Sequence, residues 1–500
     1  MSHGNADNDV TTPRSTYYEQ GRFGRMFPTL PPFSADTPSV RQALLEVGGP
    51  GGIMDAQDDL SDPVTLITDP AKSAHNPNNP TNTAGFTFLG QFLDHDMTFD
   101  PTSSLARRQD PESIRNFRIP ALDLDSVYGG GPGVSPHLYD RSVDGGRTTF
   151  LVEEIPGSAA KTVDAQARHD LPRNSQRTAL VADPRNDENL MVSQLQLAFL
   201  RFHNAVLADV KADLGTAYTL EEVFAETQRL VRWHYQWMIV HEFLPRTIGS
   251  ALTTDILTAG RRFYTWRNDP YIPVEFSVAA YRFGHSQVRP SYRGNFGTSA
   301  TDAAQQFFGL VFKPDDPNSG DPDDLRGGCR APRRFIDWQT FFDFGDGRVR
   351  PNKMIDTTLS SILFHLMGQA TGTPDSLATR NLLRNLTMKV PSGQAIAKAM
   401  TVTPLAPSDL ADLAAVSDDH LDQRTPLWFY VLREAQVMAG GQHLGPVGGR
   451  IVGEVIVGLI EGDNQSYLSQ DPQWIPTYGN NGTFLITDLL TKAGVVGSLA

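Results

Sequence analysis

One cysteine, Cys329, stands in a chain of 500 residues, so no intrachain disulfide can form and no cysteine-rich metal site is available. Any metal or cofactor must be held by His, Asp, Glu or carbonyl oxygens. No run of 18 apolar residues occurs. The longest candidate, "IVGEVIVGLI" (451–460), is too short to span a bilayer and carries Glu454, so it reads as a buried helix. The first 33 residues are polar and punctuated by Pro and Gly, without the apolar stretch of a secretory leader. The expectation is a soluble protein, either cytoplasmic or exported by a leaderless route. Positive charge is in deficit: the formal net charge of −14 argues against nucleic acid or an anionic membrane as partner. Strand-like alternation is also scarce, "RTTFLVEE" (147–154) being the clearest case.

What is present is helical periodicity. The 39% hydrophobic fraction supports a sizeable core. Length alone suggests about three domains. Helical patterns fall at 85–97, 189–213, 219–246, 273–286, 354–370, 376–387, 392–400, 425–437 and 447–461. Asp183-Pro184 sets a capping residue before a proline suited to a first helical position, and Ser392 is a second candidate cap. Residues 1–37 read as an irregular arm over the surface. Two further irregular stretches are the Asn/Pro-rich loop at 68–83 and an exposed segment at 313–334, first acidic and then basic. The fold class is mainly α, with long ordered loops and no internal repeat.

The stretch "GQFLDHDMTFD" (90–100) holds a polar cluster that core packing does not require. At roughly 100° per residue, Gln91, Asp94 and His95 share one arc of a helix, while Asp96 lies about 100° further round. By itself His95 reads as a hydrogen-bonded core histidine between solvated aspartates. Three other polar pairs occur at a spacing of three: Arg185 with Glu188, Arg282 with His285, and Asn381 with Arg384. Each alone is an ordinary helix-surface pair.

Taken in order, "GQFLDHD", "IPALDLDSVYGGGP", "DPRNDENLMVSQLQLAFLRFHN", "AYRFGH", "RNLLRNLTMKVPSGQAIAKAM" and "TPLWFYVLREA" with "LGPVGGRIVGEVIVGLI" resemble the blocks of animal-type haem peroxidases. This is the peroxidase–cyclooxygenase superfamily, and the likeness is to its bacterial members. The blocks run from about residue 85 to 475. The resemblance implies a single catalytic domain of packed helices around a buried haem, covering 38–500 behind the arm at 1–37. Residues 91, 185, 285 and 381 would converge on one macrocycle, which separate domains could hardly allow.

The resemblance also implies roles. His285 would be the proximal iron ligand, with the side-chain oxygen of Asn381 accepting from its other ring nitrogen. Arg282, and secondarily Arg384, would pair with haem propionates through the guanidinium fork. On the distal side His95 would act as the base that moves a peroxide proton, Arg185 as the fixed cation, and Gln91 as the group ordering water or a small anion. Asp94 and Glu188 stand where the family forms ester bonds to haem methyl groups. Asn189 follows, so the methionine of the sulfonium link is absent. Asp96 would turn away to calcium together with the Asp123 and Asp125 carboxylates and the carbonyls of Ile119 and Ala121. Ile119 replaces the usual threonine and costs one side-chain ligand.

The activity implied is oxidation of halides, thiocyanate or phenolic and aromatic donors by hydrogen peroxide through an oxoferryl haem. The chain is expected to act as a monomer, with no nucleic-acid partner and no integral membrane segment. Two other readings stand beside it. Fatty-acid dioxygenases of the superfamily carry a tyrosine three residues before the proximal histidine; here that position is Arg282, and Tyr281 is one residue out of register. Some relatives have adhesive or structural roles, but no RGD tripeptide occurs. His203, His234 and His241, with Trp233 and Trp237, read as core residues, and Cys329 as incidental.

Overall fold

The computed structural model describes residues 23–100, 105, 114, 116–266, 269–313, 319–366 and 373–499. Most of the arm, 1–22, therefore lies outside the described residues. The principal helices are α1 (Pro38–Gly48), α2 (Ala84–Met97), α3 (Leu190–Leu214), α4 (Leu220–Met238), α5 (Ser250–Ala259), α6 (Leu377–Thr387), α7 (Gly393–Ala399), α8 (Leu427–Ala439) and α9 (Pro446–Gly462). The sheets described are two-stranded pairs, such as Ser291–Asn295 antiparallel to Phe307–Leu310. No helix among the described residues is long and apolar enough to cross a membrane. One connected cluster of buried side chains runs from Phe23 to Ala493.

Local chemistry accounts for the helix boundaries. Asn189 caps α3 by accepting from Val192 N at 2.9 Å. Thr219 and Glu222 form a reciprocal capping box on α4. Ser376 caps α6, and Ser392 caps α7 as the sequence suggests. Helix α2 begins without a side-chain cap. Its first N–H groups are met instead by distant carbonyls, Ala84 N by Arg350 O and Gly85 N by Phe341 O, each at 2.9 Å. Its apolar side packs on α3, where Phe92 stacks on Phe199 with centroids 4.7 Å apart. Helix α4 runs on through a π-helical turn, Ile239–Phe243, into Leu244–Ile248. Pro245 withholds an N–H from the ladder there, which favours the wider turn.

Several expectations are corrected. The helix expected over 273–286 breaks into Val274–Ser277 and a 3₁₀ segment, Ala280–His285, with Ala279 at φ −135°, ψ −84° between them. The helix expected over 354–370 is absent from 354–366 except for one 3₁₀ turn, Ser361–Phe364; 367–370 lie outside the described residues. Its serines explain this: Ser360 Oγ donates to Val288 O and Ser361 Oγ to Asp55, bonds that compete with a helix. Arg185 lies in a 3₁₀ turn, Pro184–Asp187, capped by Asp183, and α3 starts after it. The strand expected at 147–154 shrinks to Glu153–Glu154, paired with His169–Asp170. Helices α1 and α5 were not expected. The described part of the arm is pinned into the core at four points while Pro28, Thr29, Pro31 and Ala35 stay exposed: Phe23, Met26, Phe27 and Phe33 are buried, and Glu275 receives Met26 N and Phe27 N at 3.0 and 3.1 Å. In the segment 313–334, Asp324, Leu325 and Arg334 are buried rather than exposed.

Candidate active site

Three elements converge on one cleft. Helix α2 contacts both the 184–187 turn and the 280–285 segment, and α8 and α9 back the latter. The cleft, about 800 Å³ counted to its open mouth, is lined on one side by Gln91, Asp94, His95, Arg185 and Glu188. Arg282, Phe283 and His285 line the other, with Phe86, Phe88, Tyr281 and Val288 adding apolar surface. This size and mixed lining suit a planar cofactor.

His95 is buried, and its Nδ1 lies 2.8 Å from Asn186 Oδ1. An amide oxygen only accepts, so Nδ1 carries the proton and Nε2 is the free base. Nε2 lies 3.9 Å from Glu188 Oε1. Asn186 is oriented in turn by donating to Gln196 Oε1 at 2.9 Å. Burial, then the Arg185 charge, lowers the His95 pKa, which keeps the imidazole neutral. Gln91 donates to Glu188 and accepts from Asn189 Nδ2 at 3.1 Å. It thereby braces Glu188. Asp94 is half-buried and accepts from Thr98 Oγ1 at 3.0 Å. Arg185 uses Nε and Nη2 on Asp183, and Nη2 also reaches His95 O at 3.0 Å. Burial opposes ionisation of Asp183, but the Arg185 and Arg118 guanidinium groups hold its carboxyl well below the usual range.

On the facing wall, residues three apart on a 3₁₀ segment eclipse, so Arg282 and His285 share one side. His285 makes one hydrogen bond among the described residues, between Nδ1 and Asn381 Nδ2 at 2.8 Å. The contacting atom is the amide nitrogen, where the oxygen was expected; a half-turn of that amide exchanges the two. Burial, then Arg282, pushes the pKa of His285 well down, so the imidazole that lines the cleft is neutral. Arg282 Nε donates to Ser277 O at 3.0 Å. Arg384 does not line the cleft; its Nη1 lies 3.9 Å from Asp100. Tyr281 OH donates to Gly90 O at 3.0 Å.

Asp96 faces away from the cleft. Its oxygens accept from Leu124 N, Ser126 N, Ser126 Oγ and Tyr235 OH at 2.9–3.3 Å. Carboxylate oxygens of Asp96, Asp123 and Asp125 lie within 4.8 Å of one another. Burial and then the Asp123 charge lift Asp96 to about 7; burial raises Asp123 and Asp125 also. A trio of carboxylates this close, one buried and two half-buried, needs protons or a cation, and hard oxygens suit calcium. The Ile119 carbonyl accepts from Ala121 N at 2.8 Å, and Ile119 itself is exposed.

The sequence reading missed Asn186, Gln196, Asp183 and Arg118. Asp183 and Asn186 flank Arg185, so the "DPRND" block held their signal, while Gln196 lies ten positions beyond Asn186 and is tied to the site by the bond from that residue. Arg118 held none. Of the histidines expected in the core, His203 and His234 are buried, His203 bonding Tyr128 OH and Thr148 O and His234 receiving Thr477 N and Tyr478 N, whereas His241 is exposed and stacks on Trp237.

A mainly helical protein with two neutral histidines facing one cleft defines the class: a haem-peroxidase fold. The family model of the animal haem peroxidases matches residues 111–327 of this chain. A "Peroxidase-like protein" of Margaritifera margaritifera is 37% identical over 111 residues, 21% of this chain and 14% of its own length. The chain thus spans a small part of that curated relative. Among solved structures, peroxidase A from Dictyostelium discoideum superposes with a TM-score of 0.60 at 17% identity, covering 96% of this chain and 94% of its own. The fatty acid alpha-dioxygenase of Oryza sativa has a TM-score of 0.55 at 15% identity, covering 89% and 78%. The fold is therefore common to peroxidases and dioxygenases.

Proposed function

We propose that this protein is a haem peroxidase that uses hydrogen peroxide to oxidise small donors such as halides, thiocyanate or phenols. The observation that carries this reading is the pair of neutral imidazoles, His95 and His285, in one cleft, each with its Nδ1 pinned by an asparagine. Haem b would be held by His285 at the iron and by Arg282, with Arg384 behind it, at the propionates. When bound, it would supply the two-electron redox chemistry. Asp94 and Glu188 would tether it through ester bonds, and Asn381, its amide turned to offer oxygen, would fix the His285 tautomer.

The chain's own residues account for proton handling. His95 Nε2 is deprotonated and faces the cleft, so it can take a proton from one peroxide oxygen and deliver it to the other. Arg185, anchored through Nε and Nη2, keeps its positive charge at the cleft to stabilise the departing oxygen. Gln91 orders Glu188 and water near His95. Calcium would sit among Asp96, Asp123 and Asp125, with the carbonyls of Ile119 and Ala121. Tyr281 bonds a carbonyl, a poor proton acceptor, which counts against radical chemistry of the dioxygenase kind. We take 38–500 as the catalytic unit, monomeric, with 1–37 as its arm.

The test is a Soret spectrum of the purified protein before and after equimolar peroxide, followed by guaiacol and bromide turnover. A haem band that shifts with peroxide, and is lost in His285→Ala, is expected. Absence of any haem band would sink the reading, and oxygen uptake with linoleate without guaiacol or bromide turnover would replace it with a dioxygenase.

A further inference from the structure

Charges alternate along a single line from the acidic loop to the cleft. Asp125 Oδ1 lies 3.5 Å from Arg118 Nη1. Arg118 Nε donates to Asp183 Oδ2 at 3.0 Å, and its Nη2 reaches both that carboxylate and Ala182 O. Arg185 donates Nε and Nη2 to the same carboxylate at 3.1 and 2.8 Å, and its backbone N–H does so at 2.9 Å. Asp183 has no exposed surface. The Phe99 ring lies against both cations, 4.7 Å from the Arg185 guanidinium carbon and 6.0 Å from that of Arg118. Two guanidinium groups thus share one fully buried carboxylate, and one of them also faces the acidic trio.

We propose that Asp183 is a positioning residue that fixes the Arg185 guanidinium at the cleft and, through Arg118, couples it to the charge held by Asp96, Asp123 and Asp125. The inference rests on the reading above in taking the cleft as the peroxide site and the trio as the calcium site. The coupling is electrostatic. A cation on Asp125 draws that carboxylate away from Arg118, which then leans more fully on Asp183. Asp183 in turn gives up part of its hold on Arg185. Coupling of this kind is reciprocal in binding free energy.

Opposite signs distinguish it from a packing role. Asp183→Asn keeps the shape and removes the charge, so Arg118 turns to Asp125 and competes with calcium. Arg118→Gln removes that competitor. Asp463 and Arg232, which also act on Asp123, are unchanged in both variants.

The experiment is calorimetric titration of calcium into the purified full chain, with stopped-flow measurement of the peroxide reaction on haem-loaded protein. Calcium Kd is expected to weaken at least fivefold in Asp183→Asn and to tighten at least threefold in Arg118→Gln. Asp183→Asn should slow the peroxide reaction at least 30-fold while the donor KM stays within twofold, and Asp183→Glu should recover part of both losses. Calcium shifts of the same sign, or none, overturn the coupling, as does a wild-type chain that binds no calcium. A peroxide rate within twofold of wild type in Asp183→Asn overturns the positioning role. If the wild type binds calcium but takes up no haem, the peroxidase reading fails, and the two calcium shifts still decide the coupling by their signs.

Discussion

An asparagine decides which nitrogen of His95 is available. Asn186 accepts from His95 Nδ1, and Gln196 holds Asn186 in turn. Removing that acceptor leaves a buried N–H unpaired, at about 1–3 kcal/mol, and frees the ring to adopt the other tautomer. Asn186→Ala is therefore expected to lower kcat/KM for peroxide by about 10- to 100-fold while leaving the Soret band of the resting protein in place. An unchanged rate would show that the tautomer is fixed by something else. The two carboxylates at the cleft differ in their surroundings. Glu188 is braced by Gln91, whereas Asp94 bonds Thr98. If both form ester links, acidified organic solvent extracts no haem from the wild type and a partial fraction from Asp94→Asn or Glu188→Gln. Full extraction from the wild type would remove the covalent tether from the account.

Helix α2 is the element on which the site depends, and its entry is tightly built. A Cβ on Gly85 would meet the Phe342 ring at 2.4 Å, so the close approach requires glycine. Gly85→Ala must push α2 from that ring or displace Phe342, which also packs edge-on against Phe86. The expected cost is about 1–3 kcal/mol, read as a lower urea midpoint at constant slope. Because Gln91, Asp94 and His95 ride on the same helix, the peroxide rate should fall as well. A midpoint within error of wild type would mean that the ring moves aside freely. The 3₁₀ geometry of Ala280–His285 is the other decisive element, since a regular α-helix would set Arg282 and His285 about 60° apart.

Across the whole molecule, buried glutamates clip distant loops to the core. Glu275 receives residues 26 and 27, Glu454 receives the N–H groups of Arg262, Phe263 and Tyr264, and Glu434 receives those of Val447 and Gly448. Burial lifts the Glu434 carboxyl from its ordinary 4.5 to about 7, against those two N–H groups, which favour the anion. Between these values the folded chain holds the proton more firmly than the unfolded chain. Stability contributed by this group is therefore full below 4.5, falls as pH rises towards 7 and is level above it. Glu434→Gln should remove that slope, so the stability difference between variant and wild type changes by roughly 3 kcal/mol between pH 4.5 and 8. Parallel pH profiles from chemical denaturation would exclude the assignment. Calcium removal acts at this scale too. With three carboxylates left facing one another, chelation at neutral pH should lower the thermal midpoint, while metal analysis of the untreated protein finds calcium. No calcium on analysis would count against the site.

The helices with strong apolar periodicity and a polar cap, α3, α4, α6 and α7, were legible because period and cap chemistry are local. The same holds for the grouping of Gln91, Asp94 and His95 on one face and for the outward turn of Asp96. The stretch 354–366 departs from its helical pattern because its serines bond to segments 72 and 306 residues away, which no local pattern displays. Arg118 was invisible for the same reason, its partner Asp183 being 65 positions distant. The sequence by itself determined which groups could do chemistry, since residue type and spacing set charge, ligand capacity and helix face. Only the tertiary structure decided which nitrogen of His95 is free, which carboxylate is braced and which cations share an anion. Those properties depend on burial and on hydrogen bonds between segments that the chain order does not bring together.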